Sequence, residues 1–338
     1  MYERFLPFSR APNELRDMLV YWSKFPVRLA DRDGLERTPG AESETQGWNV
    51  SAAADPRRYA GVPAELVARL ERFRETHCYR TREIAGTEWR FIDAGRGDPP
   101  LLVLSGAACI AEISWTTIEH FAARRRVLAP DYPAITANAA LADGIAAILD
   151  REGVERAHVL GGSYGGLVAQ VFVRRHPERC LSLVLSHTLL PDPKTAATLR
   201  WVARALGLRP WPRVRALFKA RLAPLFPKTP HPELALSKAL FVELLNERLS
   251  KPQFLALLQR AVELGRSYRF APDDLAGWPG RILLLLAEDD PATPEPVRRA
   301  IIEAYPRAQV RLFSGGGHAT AVVKQEEYFA AIDAFLGE

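Results

Sequence analysis

Three short stretches of this sequence carry residues that together could perform acyl transfer. The first is Gly161-Gly162-Ser163-Tyr164-Gly165-Gly166, which follows the apolar run AHVL and opens the helical pattern LVAQVFVRR. A G-x-S-x-G match alone is common by chance. On a sharp strand-to-helix turn it lifts the serine out of a sheet onto a helix N-terminus, where free backbone N–H groups favour a developing negative charge. Small residues on both sides let such a strained turn pass close to neighbouring chain. A serine hydroxyl is a weak nucleophile, so it needs a base, and the base needs a group to orient it. His318 lies in Ser314-Gly315-Gly316-Gly317-His318, directly after the strand-like VRLF, where glycines allow a loop to carry an imidazole over a sheet edge. His158 falls inside an expected strand, and His176 and His231 sit beside prolines in expected turns. Three carboxylates, Glu288, Asp289 and Asp290, follow RILLLLA. The plainer readings are a glycine-rich turn with a solvent-facing serine and a structural histidine.

These residues need elements to position them. From residue 79 onward, apolar runs alternate with helical patterns. Strands are expected at YRTREIA and TEWRFIDAG, at Leu101–Leu104, Val127–Ala129, Ala157–Leu160, Leu181–Leu185, Ile282–Leu286 and Val310–Phe313. Helices are expected over Ala140–Asp150, from the serine turn to Arg175, and over Ala319–Leu336. Such alternation predicts a mostly parallel central sheet with helices on both faces. About ninety residues separate the strand ending near Ser186 from the one starting at Ile282, where a connection ordinarily takes roughly 2–6 residues plus its helix. The intervening 187–280 reads as an inserted helical cap. Residues 1–78 read as an appendage: a helix after Asn13 with Leu15, Met18, Leu19 and Trp22 on one face, a polar stretch at 31–58, and a helix opened by Pro63 with Leu66, Val67, Leu70 and Phe73 on one face.

The order Ser163, carboxylate, His318 on these elements resembles the α/β-hydrolase superfamily over residues 80–186 and 281–338. That resemblance implies an α/β-hydrolase fold with core segments 79–186 and 281–338. It selects Asp290 as the acid, because Ala287-Glu288-Asp289-Asp290 is similar to the family's G-x-x-D turn, with Asp289 as the alternative. Glu288 and Asp289 would then be solvated, and Thr293 and Pro294 would start the next helix. The resemblance also implies an oxyanion hole from the backbone N–H groups of Tyr164 and Ala107, although Ser105-Gly106 stands where many relatives have His-Gly. The elbow and Ala129-Pro130-Asp131-Tyr132-Pro133 resemble maspardin-like proteins, some of which lack the histidine and act by binding partners; this chain keeps His318.

The function implied is a serine hydrolase for an ester, thioester or amide of a small-molecule substrate, without cofactor or metal. The alternatives are a non-catalytic binding protein on the same fold, and a C–C bond hydrolase or cofactor-free rearrangement or acyl-transfer enzyme, which the triad does not separate. A third is an interfacial lipase, since Lys194–Lys228 interleaves arginines with Trp201, Leu206, Trp211 and Phe218 and has no acidic residue. The plainer reading puts the apolar side of the cap on the pocket and its arginines in water. A net charge of +5 from 45 basic and 40 acidic side chains, with no recognition motif, argues against nucleic acid. Cys78, Cys109 and Cys180 are widely spaced and form no CxxC pair, the N-terminus lacks an apolar signal region, and no apolar run is long enough to span a bilayer; a cytoplasmic protein with reduced thiols is expected.

Overall fold

The alternation of strand and helix patterns builds one eight-stranded sheet in the computed structural model, which describes residues 58–337. The helix expected after Asn13 and all but the last residue of the polar stretch 31–58 lie outside the described residues. The strands are β1 (Tyr79–Ile84), β2 (Thr87–Ala94), β3 (Leu101–Leu104), β4 (Val127–Pro130), β5 (Ala157–Gly162), β6 (Cys180–Ser186), β7 (Arg281–Ala287) and β8 (Gln309–Phe313), in the order β1-β2-β4-β3-β5-β6-β7-β8. β1 and β2 form an antiparallel hairpin through Ala85 and Gly86, both at positive φ as a type I′ turn requires. β2 pairs antiparallel with β4, and every later pairing is parallel. The central strands β3, β5, β6 and β7 are buried along almost their whole length, which fits a sheet covered on both faces.

The helices that cover the sheet are α1 (Ala64–Thr76), α2 (Trp115–Ala122), α3 (Asn138–Arg151), α4 (Tyr164–Arg175), α9 (Glu295–Ala304), and α10 (Thr320–Val323) with α11 (Gln325–Leu336). Between β6 and β7 the chain makes four more: α5 (Pro193–Gly207), α6 (Trp211–Leu222), α7 (Pro232–Glu247) and α8 (Lys251–Ser267). Two differences from expectation matter for the site. α2 was not foreseen. It follows a short 3-10 turn at Ala111–Ser114 and buries Trp115, Ile118 and Phe121. The single closing helix is broken at Lys324, because a 3-10 turn at Gly317–Ala319 and the short α10 first place His318 and Thr320.

The division expected at residue 78 does not mark a packing boundary. Residues from Tyr59 onward pack with the sheet, and Leu70 and Phe73 of α1 are fully buried. Buried ion pairs tie α7 to this unit: Arg74 reaches Glu112 at 2.7 Å and Glu243 at 2.9 Å, and Arg248 reaches Glu112 at 3.3 Å. α8 is tied more deeply. The fully buried Arg260 donates from Nε to the Tyr164 hydroxyl at 2.8 Å, and Glu263 accepts from the Asn138 side-chain and backbone N–H groups at 2.7 Å. A buried guanidinium left without hydrogen-bond partners would cost several kcal/mol, so these contacts fix where the inserted helices sit. Among the described residues no helix is long and apolar enough to cross a membrane. Cys78, Cys109 and Cys180 are all free thiols.

Candidate active site

Ser163 occupies the turn between β5 and α4 at φ 53° and ψ −121°, a conformation that costs a non-glycine residue about 1–3 kcal/mol. The surroundings hold it there. Its N–H donates to the Ser186 carbonyl at 2.8 Å, and its carbonyl accepts from the Thr188 hydroxyl at 2.7 Å. Gly165 is required because a Cβ there would stand 2.0 Å from the Leu104 carbonyl oxygen. This close crossing brings α4 onto β3 and raises the serine at the strand ends.

His318 comes from the other side of the sheet. Gly315, Gly316 and Gly317 all take positive φ, so the loop after β8 folds back sharply, as the glycine run predicted. The imidazole Nε2 lies 2.9 Å from Ser163 Oγ, and Nδ1 lies 2.9 Å from Asp290 Oδ2 and 3.1 Å from Oδ1. Asp290 is buried and also accepts from the Ala292 N–H at 2.8 Å and the Thr293 hydroxyl at 2.9 Å. Burial alone would raise its pKa, but the hydrogen bond and charge of His318 hold the carboxyl below the usual carboxylate range. The Thr293 hydroxyl therefore bonds to Asp290 and does not cap the next helix, which begins at Glu295. Glu288 and Asp289 are exposed, yet Asp289 is more than a solvated turn residue. Its Oδ1 accepts from the Gly317 N–H at 2.9 Å and so anchors the loop that carries His318.

Ala107 lies in the loop after β3, on the wall of the cavity that holds Ser163 and His318, and Tyr164 follows the serine as the first residue of α4. Among the described residues neither backbone N–H donates to a protein acceptor, so both are available to a ligand oxygen. The Ala129–Pro133 stretch braces this loop. The Tyr132 hydroxyl donates to the Ser105 carbonyl at 2.9 Å, and Asp131 accepts from the Ala111 N–H at 2.7 Å.

One site residue was missed in the sequence. His187 directly follows β6 at φ 47°, is buried, and lines the same cavity with its ring 6.0 Å from that of His318. The Thr320 hydroxyl gives its proton to the Gly317 carbonyl at 2.8 Å, so it accepts from His187 Nε2 at 3.1 Å; Nδ1 then accepts from the Ser186 hydroxyl at 2.8 Å. Burial and the neighbouring His318 push its pKa down to about 4, so the ring is neutral at pH 7 and adds no charge beside the His318 imidazole. Its only signal is a histidine one residue past a buried strand. Its role depends on β6 ending beside β5, which spacing does not reveal.

The cavity has a volume of about 230 Å³. Its floor is the serine turn and β3. Leu222, Leu225, Phe226, Ser237 and Phe241 of the inserted segment form the opposite wall, with Ala321 and Val322 beside His318. Among the described residues no lysine, arginine, aspartate or glutamate lines it, and no cluster of three or more potential metal ligands exists. A family model for the α/β hydrolase fold matches residues 99–325. The chain belongs to this family. Within the α/β-hydrolase family it is similar to a 2-hydroxymuconate semialdehyde hydrolase from Pseudomonas putida, 26% identical over 76% of this chain and 94% of the relative. Among solved structures it is similar to a thermophilic esterase from Thermogutta terrifontis, with a TM-score of 0.64 and 21% identity over 77% of this chain and 97% of the other. It is also similar to a meta-cleavage product hydrolase from Pseudomonas fluorescens, with a TM-score of 0.55 and 21% identity over 76% and 97%.

Proposed function

We propose that this α/β-hydrolase cleaves the ester, thioester or amide bond of an uncharged substrate with an apolar acyl group, through a Ser163–His318–Asp290 triad and an acyl-enzyme. The observation that carries the reading is the unbroken hydrogen-bond relay from Ser163 Oγ through both imidazole nitrogens to buried Asp290, opening on the cavity. Ser163 Oγ attacks the carbonyl carbon and its proton passes to His318 Nε2. Asp290 holds the Nδ1–H tautomer and stabilises the imidazolium. The N–H groups of Ala107 and Tyr164 receive the negative oxygen. His318 then gives its proton to the leaving group. A water molecule attacks the acyl-enzyme with His318 as base, which releases the acid and restores the serine. No cofactor or metal enters these steps.

Similarity to the 2-hydroxymuconate semialdehyde hydrolase over nearly all of that relative favours a second reading, C–C bond hydrolysis. A muconate is a carboxylate, and burying one calls for a cationic partner. The lining of this cavity supplies none among the described residues, which supports the neutral-ester reading. A matched pair of aryl esters tests the choice, one with a plain alkyl acyl chain and one with the same chain ending in a carboxylate. The alkyl ester is expected to react with a kcat/KM at least ~100-fold higher, the cost of about 3 kcal/mol for an unpaired buried charge. Preference for the carboxylate ester, or turnover of a dienoate carboxylate with no ester hydrolysis, contradicts the proposal.

A further inference from the structure

Residues 193–228 carry nine lysines and arginines and no acidic residue. The whole chain has a net charge of +5, so this stretch contributes +9 and the remainder is net negative at −4. The entire basic surplus is therefore gathered on α5, the turn after it, α6 and the few residues that follow. Arg200, Arg204 and Arg213 are exposed, and among the described residues none of them has a carboxylate partner.

The same stretch has two sets of large apolar side chains. The inward set meets the needs of a cap: Leu199, Val214 and Phe218 are buried, and Leu222, Leu225 and Phe226 line the cavity. The outward set remains in water: Trp201 is 61% exposed, Leu208 90% and Leu217 51%. Three of the seven exposed large hydrophobics among the described residues thus fall where the cations are densest. The two kinds are interleaved. Arg200 and Arg204 stand 5.1 and 5.3 Å from the Trp201 ring centroid. Leu208 lies in the turn directly after α5, seven residues past Trp201, and Leu217 follows Arg213 by four on α6.

We propose that α5, the 208–210 turn and α6 form a docking surface for an anionic lipid bilayer. A nucleic acid would use the guanidinium groups but leave Trp201, Leu208 and Leu217 in water. An apolar protein groove would bury those three and strand the arginines. A membrane interface accommodates both, with cations at the phosphates and the indole and leucines at the acyl boundary. α6 ends at Leu222 on the cavity wall, so the docking surface and that wall share a helix. Docking goes beyond the hydrolase reading and does not depend on it, because it requires neither Ser163 nor turnover.

The test is sedimentation of the full chain, as Ser163→Ala so that lipids stay intact, with phosphatidylcholine vesicles and with phosphatidylcholine–phosphatidylglycerol vesicles. Binding to the anionic vesicles is expected, and partitioning should fall at least ~10-fold on neutral vesicles and again in high salt. The triple variant Arg200→Glu, Arg204→Glu, Arg213→Glu should lose at least ~10-fold, and so should Trp201→Ser, Leu208→Ser, Leu217→Ser, which keeps every charge. All six side chains are exposed, so both variants should keep the wild-type unfolding transition. Absence of vesicle binding, equal binding to neutral vesicles, or full binding by the apolar triple variant overturns the proposal. Retention by duplex DNA without vesicle binding would assign the charge to a polyanion instead and overturn it equally. A failure of ester hydrolysis would leave vesicle binding unchanged, so the two readings fail separately.

Discussion

The two walls of the cavity are built on different principles. On the sheet side, polar groups are held by directional bonds. Ser163 is fixed at its N–H and carbonyl, Asp290 accepts from three partners, Asp289 anchors the histidine loop, and His187 bridges the end of β6 to Thr320. On the opposite side the inserted segment presents mostly carbon, from Leu222, Leu225, Phe226 and Phe241, with Ser237 adding a hydroxyl. Chemistry needs atoms held to within a few tenths of an ångström, which hydrogen bonds supply. Recognition of an apolar group needs only shape and exclusion of water. Substitutions on the first wall should therefore change kcat, and those on the second should change which substrate is preferred.

The largest effects belong to the relay. Ser163→Ala and His318→Ala are each expected to lower kcat by ~10³-fold or more with little change in KM, and the double variant should lose little beyond either single one, because the residues act as a unit. Steady-state kinetics on a soluble ester checks this; multiplicative losses would separate the two residues. The adjacent carboxylates give a sharper contrast. Asp290→Asn should cost about 10³–10⁴-fold in kcat, since an amide neither stabilises the imidazolium nor enforces the tautomer. Asp289→Asn keeps an oxygen that can accept from the Gly317 N–H and should cost no more than about 10-fold. A reversed order would show that Asp289 orients the histidine.

These neighbours also mark how far the sequence could be read. The serine elbow and the glycine run before His318 were legible because each requirement is local: a turn, a close approach, a positive φ. The sheet was legible from its buried runs. The distinction between Asp289 and Asp290 came only by resemblance, because it depends on which carboxylate faces a loop 28 residues later. His187, the Arg260 anchor to Tyr164 and the Arg74–Glu243 tie arise from packing between distant segments and leave no local periodicity. α2 was missed because its apolar face, Trp115, Ile118 and Phe121, spans only eight residues after an irregular loop. Thr293 looked like a helix cap by type, but its hydroxyl goes to Asp290.

The apolar wall should yield gently. Phe226→Ala is expected to shift the ratio of kcat/KM for long over short acyl esters by about 10-fold toward the longer chain, while kcat for the best substrate stays within about threefold. A large loss of kcat on all chain lengths would mean that this wall positions the triad and does not merely shape the pocket.

A smaller effect lies away from the cavity mouth. His158, bonded to Ser182 inside β5, has its pKa lowered from 6.5 to about 4 by burial, with nearby arginines adding to the shift. Between those values the unfolded chain takes up a proton that the folded one refuses, so stability should fall as pH drops from 6.5 toward 4. The slope is about 1.4 kcal/mol per pH unit for each such histidine. His187 behaves alike. Urea unfolding at neutral and mildly acid pH should therefore show a smaller acid loss for His158→Gln than for the parent. An unchanged loss would mean that His158 is charged in the fold.

The central claim is that Ser163 is a poised nucleophile. Fluorophosphonates test it directly, because the adduct forms only where a base activates the serine and backbone donors hold the charged oxygen. With one small and one bulky reagent, peptide mass mapping should place a single adduct on the Gly161–Gly166 turn. Ser163→Ala should take up none and His318→Ala should react far more slowly. A folded wild-type chain that neither reagent modifies, or one modified equally fast without His318, would contradict the account.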